Sequence, residues 1–188
     1  MICGRFSFSH ICRSCQESLL VPTLHKRRIL GHIPVYSFFP YHEIEPLLLT
    51  KHTNIGHYVY TILAKRSMGL FAKEWTYENR VASIGIDDHV KSGYSHTAVL
   101  NRALKSPLIH PLYGKLRSAN PYKYAGKSVE ERLMNPRRFR YAAFEQDEVI
   151  LVDDIVTTGT TLSEAAEVLH GEGKKVILCL TLTDAENR

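Results

Sequence analysis

The sequence predicts an α/β fold with a central, mostly parallel sheet flanked by helices. Two short runs of apolar and β-branched residues, 149–152 and 81–86, have the composition of strands buried on both faces. A helical pattern of apolar residues over 162–169 follows the first run, and a further buried-strand pattern follows at 176–182. Residues 149–182 are therefore predicted to form a strand–helix–strand unit with parallel strands.

The remaining elements are predicted from the same two periodicities. The first strand is rich in aromatic and β-branched residues and is ended by Pro40. The longest helical pattern places its apolar residues on one broad face. In chain order, the predictions are a strand at 35–39, helices at 43–49, 58–73 and 97–104, and a short strand within 108–116.

The composition is that of an ordinary globular protein. The 188 residues, 44% of them hydrophobic and 23% charged, suffice for one domain with an appendage and a sizeable core. The net charge of +5 favours polyanionic partners. No apolar run approaches the ~18 residues that span a bilayer, and the N-terminus lacks a signal-peptide pattern. We therefore expect a cytoplasmic protein without membrane insertion, whose cysteines are thiols or metal ligands.

The most informative stretch is residues 149–161, Val-Ile-Leu-Val-Asp-Asp-Ile-Val-Thr-Thr-Gly-Thr-Thr. Asp153 and Asp154 place two acceptors at the carboxyl end of the predicted strand, where open α/β sheets bind ligands. The hydroxyls and backbone amides of 157–161 form an anion site at a helix start, and Gly159 allows positive φ and close approach to a phosphate.

This carboxylate pair would repel a bare phosphate, because like charges at short range disfavour each other. The pattern suits a ligand with hydroxyls at one end and a phosphate at the other, such as ribose 5-phosphate. The alternative interpretation is a strand–turn–helix corner capped by threonine, with both carboxylates merely solvated.

Three cysteines lie within the first fifteen residues. Cys12 and Cys15 form a Cys-x-x-Cys pair, whereas Cys3 has no partner three residues later, since Phe6 stands there. A structural zinc site takes four nitrogen or sulfur ligands, so His10 is a candidate for the fourth, with His25 and His32 as more distant candidates. The alternative is a set of cytosolic thiols on a loose N-terminal segment.

Residues 117–141 combine seven basic residues with interleaved aromatic ones. Such a stretch suits a flexible flap over a pyrophosphate, or a surface on which the bases of single-stranded nucleic acid stack. A solvated surface loop is the alternative, because charge runs are usually exposed. Arg117, Arg137 and Arg138 are among the basic residues.

The whole chain resembles the competence protein F (ComF) branch of the phosphoribosyltransferases. Residues 149–161 have the pattern of that family's ribose-phosphate motif, and the loop at 49–56 and an Arg-x-x-Asn segment at 132–135 are also similar. Where the family has Arg-Gly-Phe-Asn-Gln, this chain has Ser-Gly-Tyr-Ser-His at 92–96. It also lacks one cysteine of the family's two zinc-binding Cys-x-x-Cys pairs.

The resemblance implies a type I phosphoribosyltransferase-like domain at 34–188, after a small zinc-finger-like cysteine-bearing segment at 1–33. It implies binding of phosphoribosyl pyrophosphate (PRPP) together with Mg²⁺. Asp153 and Asp154 would bind the ribose hydroxyls, and Lys51 and Arg117 would face the pyrophosphate. The residues implied for the 5′-phosphate are Thr157, Thr158, Gly159, Thr160 and Thr161.

The resemblance also implies a role in natural competence, in which imported single-stranded DNA is handled together with DNA-uptake proteins. The reaction would be pentosyl transfer to a nitrogen nucleophile with release of pyrophosphate. Positioning and charge stabilisation suffice for that reaction, so no catalytic side chain is assigned. The alternatives are a non-catalytic module that binds PRPP and single-stranded DNA, and a PRPP sensor of the uptake machinery.

Overall fold

The computed structural model describes residue 3 and residues 7–86, 93–119 and 137–186. The strands are β1 (His25–Ile29), β2 (Ile33–Pro40), β3 (Val81–Gly85), β4 (Ile109–Leu112), β5 (Leu116–Ser118), β6 (Phe139–Tyr141), β7 (Glu148–Val156) and β8 (Lys175–Asp184). The helices are α1 (Arg13–Leu19), α2 (Tyr41–Leu48), α3 (Gly56–Arg66), α4 (Met68–Glu74), α5 (His96–Arg102) and α6 (Thr160–Gly171), with a 3₁₀ turn at Leu49–His52.

The main sheet has the strand order β1-β2-β8-β7-β3-β4. Strands β2, β8, β7, β3 and β4 pair in parallel, and β1 adds an antiparallel edge. The predicted α/β fold with a mostly parallel sheet is confirmed. Because β1 pairs with β2, this sheet includes residues that lie before the boundary predicted after residue 33.

The alternation of side chains along β7 explains its continuous apolar run. Ile150 and Val152 belong to a core cluster shared with α2, α3, α4 and α5, whereas Val149 and Leu151 belong to a second cluster under α6. Successive residues of a strand face opposite sides of the sheet, so both sides of β7 must be apolar where helices cover both. The resulting three layers place the carboxyl end of β7 between helices.

Two predicted elements differ from the observed ones, and a third is confirmed. The single helix predicted over 58–73 is wrong: Ser67 leaves the helical region (φ −122°, ψ −86°) and separates α3 from α4. Its hydroxyl donates to the carbonyl of Leu63, 2.7 Å away, a bond that competes with regular helix geometry. The strand predicted at 149–152 continues to Val156, because pairing with β8 extends past the carboxylates. The short strand predicted within 108–116 is confirmed as β4, and a turn with Gly114 at φ 64° separates it from β5.

Strands β5 and β6 form a separate antiparallel ribbon, in which Arg117 is opposite Arg140. Helix α1 and strand β1 were not predicted, because their sequences, Arg-Ser-Cys-Gln-Glu-Ser-Leu and His-Lys-Arg-Arg-Ile, have little apolar periodicity. Across the described residues, every helix is too short or too polar to cross a bilayer.

Candidate active site

The two carboxylates of residues 153 and 154 lie inside the last part of β7. Asp154 continues the period-two series of Ile150 and Val152, so it faces the helical layer that contains α3 and α5. It is 5% exposed, whereas Asp153 is only partly buried. One oxygen of Asp153 accepts from the backbone N–H of Asp154 at 2.8 Å. The pair is therefore asymmetric, with one carboxylate buried and the other open to solvent.

Oxygen Oδ2 of Asp154 is the centre of a polar cluster. The ammonium of Lys51 and the hydroxyl of Tyr60 each donate to it at 3.0 Å, and Nε2 of His96 lies 3.6 Å away. Lys51 comes from the 3₁₀ turn and Tyr60 from α3, while His96 is the first residue of α5. One buried oxygen thus joins four separate elements at the end of β7.

The electrostatics of the cluster keep Asp154 ionised. Burial alone would raise the pKa of Asp154, but the charges of His96 and Lys51 and the hydrogen bonds from Lys51 and Tyr60 outweigh it. The pKa of this carboxyl is therefore well below its ordinary value. Burial, and then the charge of Asp154, raise the pKa of Tyr60, so its phenol stays protonated and donates.

The turn that carries Lys51 is fixed by two neighbours. The hydroxyl of Tyr94 donates to the carbonyl of Lys51 at 2.8 Å. Gly56, the first residue of α3, packs so closely that a Cβ there would overlap the carbonyl of Thr50 and the hydroxyl of Tyr94. Only glycine fits at this position without displacing the turn.

The hydroxyl-rich loop begins directly after β7 and leads into α6. Gly159 caps the helix at φ 81°, as predicted, and the hydroxyls of Thr158 and Thr160 lie 2.8 Å apart. The first amides of a helix have no partner within the helix, so the N–H groups at the start of α6 can donate hydrogen bonds to an anion. The strand, the positive φ of Gly159 and the helix start were predicted correctly, and phosphate binding by this loop stays a prediction.

Gly159 was predicted to allow close approach of a phosphate, but the group that approaches it in the structure is a side chain of β1. A Cβ at Gly159 would lie 2.7 Å from Cγ2 of Ile29, so the glycine accommodates strand β1 packed behind the loop. The guanidinium of Arg27, also in β1, donates to the carbonyl of Thr157 at 2.7 Å and to Asp184 at 3.3 Å. Neither contact was predicted, because β1 has too little apolar pattern to indicate a strand.

The sequence is similar to known proteins in the part that contains this loop. Residues 125–188 match the family model of the phosphoribosyl transferase domain. The match covers roughly the last third of the chain. A 38-residue segment is 45% identical to orotate phosphoribosyltransferase of Sulfurisphaera tokodaii, which is 20% of this chain and 20% of that protein. The chain thus matches about a fifth of the length of this curated relative.

Solved structures with a similar fold include two phosphoribosyltransferases. A hypoxanthine phosphoribosyltransferase from Staphylococcus aureus superposes with a TM-score of 0.43 and 16% identity, over 69% of this chain and 65% of that chain. Orotate phosphoribosyltransferase from Aeropyrum pernix superposes with a TM-score of 0.41 and 15% identity, over 92% and 93% of the two chains.

Arg117 lies apart from the cluster around Asp154. It is exposed on the β5–β6 ribbon, and its guanidinium folds over the turn at Gly114. Residues 120–136, which include the segment 132–135 and most of the basic stretch, lie outside the described residues. The structure brings Lys51 against Asp154 but does not bring Arg117 to the same oxygen.

The N-terminal thiols come together as predicted. Sulfur atoms of Cys3 and Cys12 lie 3.5 Å apart, and those of Cys3, Cys12 and Cys15 are all within 4.8 Å of one another. Hydrogen bonds with the two neighbouring thiols raise the pKa of Cys15 to about 12. The three thiols are compatible with zinc. The ring of His10 packs against Tyr58 with centroids 4.6 Å apart, so its role as a fourth ligand stays a prediction.

A second group of side chains could hold a cation at the carboxyl end of β7. His96, Asp153 and Asp154 offer ligand atoms within 4.8 Å of one another. Carboxylate oxygens suit Mg²⁺, and the imidazole adds affinity for transition metals. The ammonium of Lys51 lies against Asp154, so it would repel a cation bound to that oxygen. Asp153 is the carboxylate better placed to contribute to Mg²⁺ that arrives with a phosphorylated ligand.

Proposed function

We propose that this protein binds PRPP with Mg²⁺ and transfers its phosphoribosyl group to a nitrogen nucleophile. The contact between Lys51 and Asp154 carries the proposal, because it joins a turn 103 residues away to the end of β7. A cation, a partly exposed carboxylate and a hydroxyl-rich helix start then lie along one edge of the sheet. Their order fits pyrophosphate, ribose diol and 5′-phosphate.

The two carboxylates have different tasks in this proposal. Asp153 is partly exposed and accepts hydrogen bonds from the ribose 2′- and 3′-hydroxyls. Asp154 is buried behind it and holds Lys51 on the pyrophosphate side of the sugar. The 5′-phosphate accepts from the amides and hydroxyls of 157–161.

Catalysis in this site consists of positioning and charge stabilisation. Asp153 would help to hold Mg²⁺, which would supply positive charge at the pyrophosphate, and Lys51 would add a second positive charge there. The carboxylate of Asp153 would stabilise the positive charge that develops on the ribose as the bond to pyrophosphate breaks. The nitrogen nucleophile then forms the new bond at the same carbon and loses its proton to solvent.

Replacing Asp153 by asparagine tests the proposal at the diol. We expect Kd for PRPP to rise about tenfold to a hundredfold, because one or two hydrogen bonds to a charged acceptor are lost. The measurement is isothermal titration of the full chain with PRPP and Mg²⁺. Glu167 on α6 is exposed, so Glu167→Gln is the control for loss of one negative charge. Absence of PRPP binding by the unsubstituted protein would refute the proposal.

Turnover separates the transferase from a non-catalytic binding module. Steady release of pyrophosphate with one member of a panel of bases and amines supports transfer. Tight PRPP binding without release under any acceptor supports the module or a sensor of the DNA-uptake machinery. Both results preserve the PRPP site and differ only in what it does.

A role in natural competence, as in ComF-like proteins, is the second part of the proposal. The β5–β6 ribbon supports a polyanionic partner, because Arg117 and Arg140 are exposed and directly opposite each other. Like charges in this position repel, and phosphates of single-stranded DNA would relieve the repulsion. The partners would then be imported single-stranded DNA and DNA-uptake proteins in the cytoplasm.

Salt dependence of oligonucleotide binding tests this ribbon. We expect the doubly substituted protein, Arg117→Ala with Arg140→Ala, to lose about 0.7 units of the log–log salt slope per lost phosphate contact. The control is Arg80→Ala, which removes an exposed arginine just before β3, at the other end of the sheet. An unchanged salt slope in the double variant would show that the β5–β6 ribbon does not contact the phosphates of DNA.

A further inference from the structure

The side chain of Arg27 connects the edge strand β1 to the loop between β7 and α6. Its Nη1 donates to the carbonyl of Thr157 at 2.7 Å, although the two residues are 130 positions apart. The same nitrogen lies 3.3 Å from Asp184 and 3.1 Å from Glu186. The side chain is 21% exposed, so this network lies at the edge of the core.

The contact with Thr157 fixes the direction of one peptide group. The peptide between Thr157 and Thr158 is trans, so its carbonyl and its N–H point in opposite directions. Because Arg27 holds the carbonyl from the β1 side, the N–H of Thr158 is directed away from β1. Ile29 packs against Gly159 on that same β1 side, which leaves the opposite side of the loop for a ligand.

We propose that Arg27 is a positioning residue for the 5′-phosphate, which orients the N–H of Thr158 toward the phosphate by holding the carbonyl of Thr157. This inference rests on the proposed PRPP site and adds to it a residue from outside residues 149–161. Arg27 acts through the loop and does not touch the ligand.

The charges around Arg27 favour positioning over direct contact with phosphate. Asp184 is 2% exposed and lies at the end of β8, and Glu186 follows it two residues later. These two carboxylates face the guanidinium, and His25 lies 3.6 Å from Asp184. A guanidinium already paired with acids offers little net charge to an anion. Its remaining specific effect is the geometry it imposes on the Thr157 carbonyl.

The experiment compares three ligands binding to the full-length Arg27→Ala variant. We expect Kd for ribose 5-phosphate and for PRPP with Mg²⁺ to rise by the same factor, about tenfold to a hundredfold. We expect Kd for inorganic pyrophosphate with Mg²⁺ to stay unchanged, because the Lys51 side of the site is untouched. Arg28→Ala is the matched control, since the neighbouring side chain is exposed.

Two variants and one further measurement protect the test. Arg27→Gln and Arg27→Lys keep a hydrogen-bond donor at this position, and they replace Arg27→Ala if that variant does not fold. Their Kd for ribose 5-phosphate is expected to rise, but by less than the factor expected for Arg27→Ala. The salt dependence of Kd for ribose 5-phosphate is expected to stay unchanged in every variant. A clearly weaker salt dependence in the variants that lack the guanidinium would show direct contact between Arg27 and the phosphate and overturn the inference.

The remaining outcomes are equally decisive. An unchanged Kd for ribose 5-phosphate in Arg27→Ala overturns the inference, and so does an equal weakening of all three ligands, which would indicate general loss of structure. If the unsubstituted protein binds neither PRPP nor ribose 5-phosphate, the proposed function fails first. Failure of the inference alone leaves PRPP binding in place.

Discussion

Replacing Asp154 by asparagine is expected to lower the free energy of unfolding by about 3 kcal/mol. The substitution keeps the shape of the side chain but removes the charge that compensates Lys51. Lys51 is 29% exposed at its side chain, and Asp154 only 8%, so most of the cost arises from the buried end of the pair. The hydroxyl of Tyr60 can still donate to the amide oxygen, which keeps the loss below that of a full deletion.

The measurement is the urea midpoint of Asp154→Asn compared with that of Asp153→Asn. The second substitution removes the same charge one residue away at a partly exposed position, so we expect it to change stability by less than about 1 kcal/mol. The pair of variants separates a structural carboxylate from a ligand-binding one. Equal midpoints in the two variants would contradict this division of tasks.

Acid pH gives the same prediction a second readout. The pKa of Asp154 is lowered on folding, so between its folded value and the ordinary aspartate value of about 4 the unfolded chain binds more protons. The stability contributed by Asp154 is therefore complete above about pH 4 and is lost as pH falls below it. We expect the stabilities of the unsubstituted protein and of Asp154→Asn to converge on acidification below pH 4.

The parts of the site that could be predicted from sequence are contiguous in the chain. In residues 149–161, a buried strand, two carboxylates and a helix start follow one another, so local patterns indicate all three. The fold class followed from the same unit, because a buried strand, a helix and another buried strand require parallel pairing. Gly159 at φ 81° was predictable because a glycine before a helix start is a local feature.

The parts that could not be predicted depend on long-range contacts. Tyr60 reaches Asp154 across 94 positions, and Arg27 reaches Thr157 across 130. The apolar periodicity placed Tyr60 in a helix but gave no indication that its hydroxyl donates to Asp154. Strand β1 reads His-Lys-Arg-Arg-Ile and is held at a sheet edge by pairing with β2, a tertiary effect that overrides weak local propensity.

His96 and Tyr94 were missed although the sequence contained a signal for them. Both lie in residues 92–96, where the chain departs from the pattern of the family it resembles. The departure brings an imidazole to 3.6 Å from Asp154 and a phenol, Tyr94, onto the carbonyl of Lys51. This local difference in the motif thus supplies two contacts to the cluster around Asp154, one at Asp154 itself and one at Lys51.

Replacing Gly56 by alanine is expected to lower the free energy of unfolding by about 3 kcal/mol and to weaken pyrophosphate binding. The added methyl group would overlap the carbonyl of Thr50 and the hydroxyl of Tyr94, so the 3₁₀ turn must move away from α3. That movement carries Lys51 off Asp154. Urea unfolding and titration with pyrophosphate and Mg²⁺ measure the two effects.

The control and a double variant identify the cause of the loss. Gly171→Ala adds a methyl group to the last residue of α6, where no atom lies within 4 Å, so we expect stability to rise by about 0.5 kcal/mol. Tyr94→Phe removes one of the two overlapping groups, so Gly56→Ala should cost less in that background than in the unsubstituted protein. Strict additivity would show that the methyl group does not act through Tyr94 and that the turn tolerates it by another route.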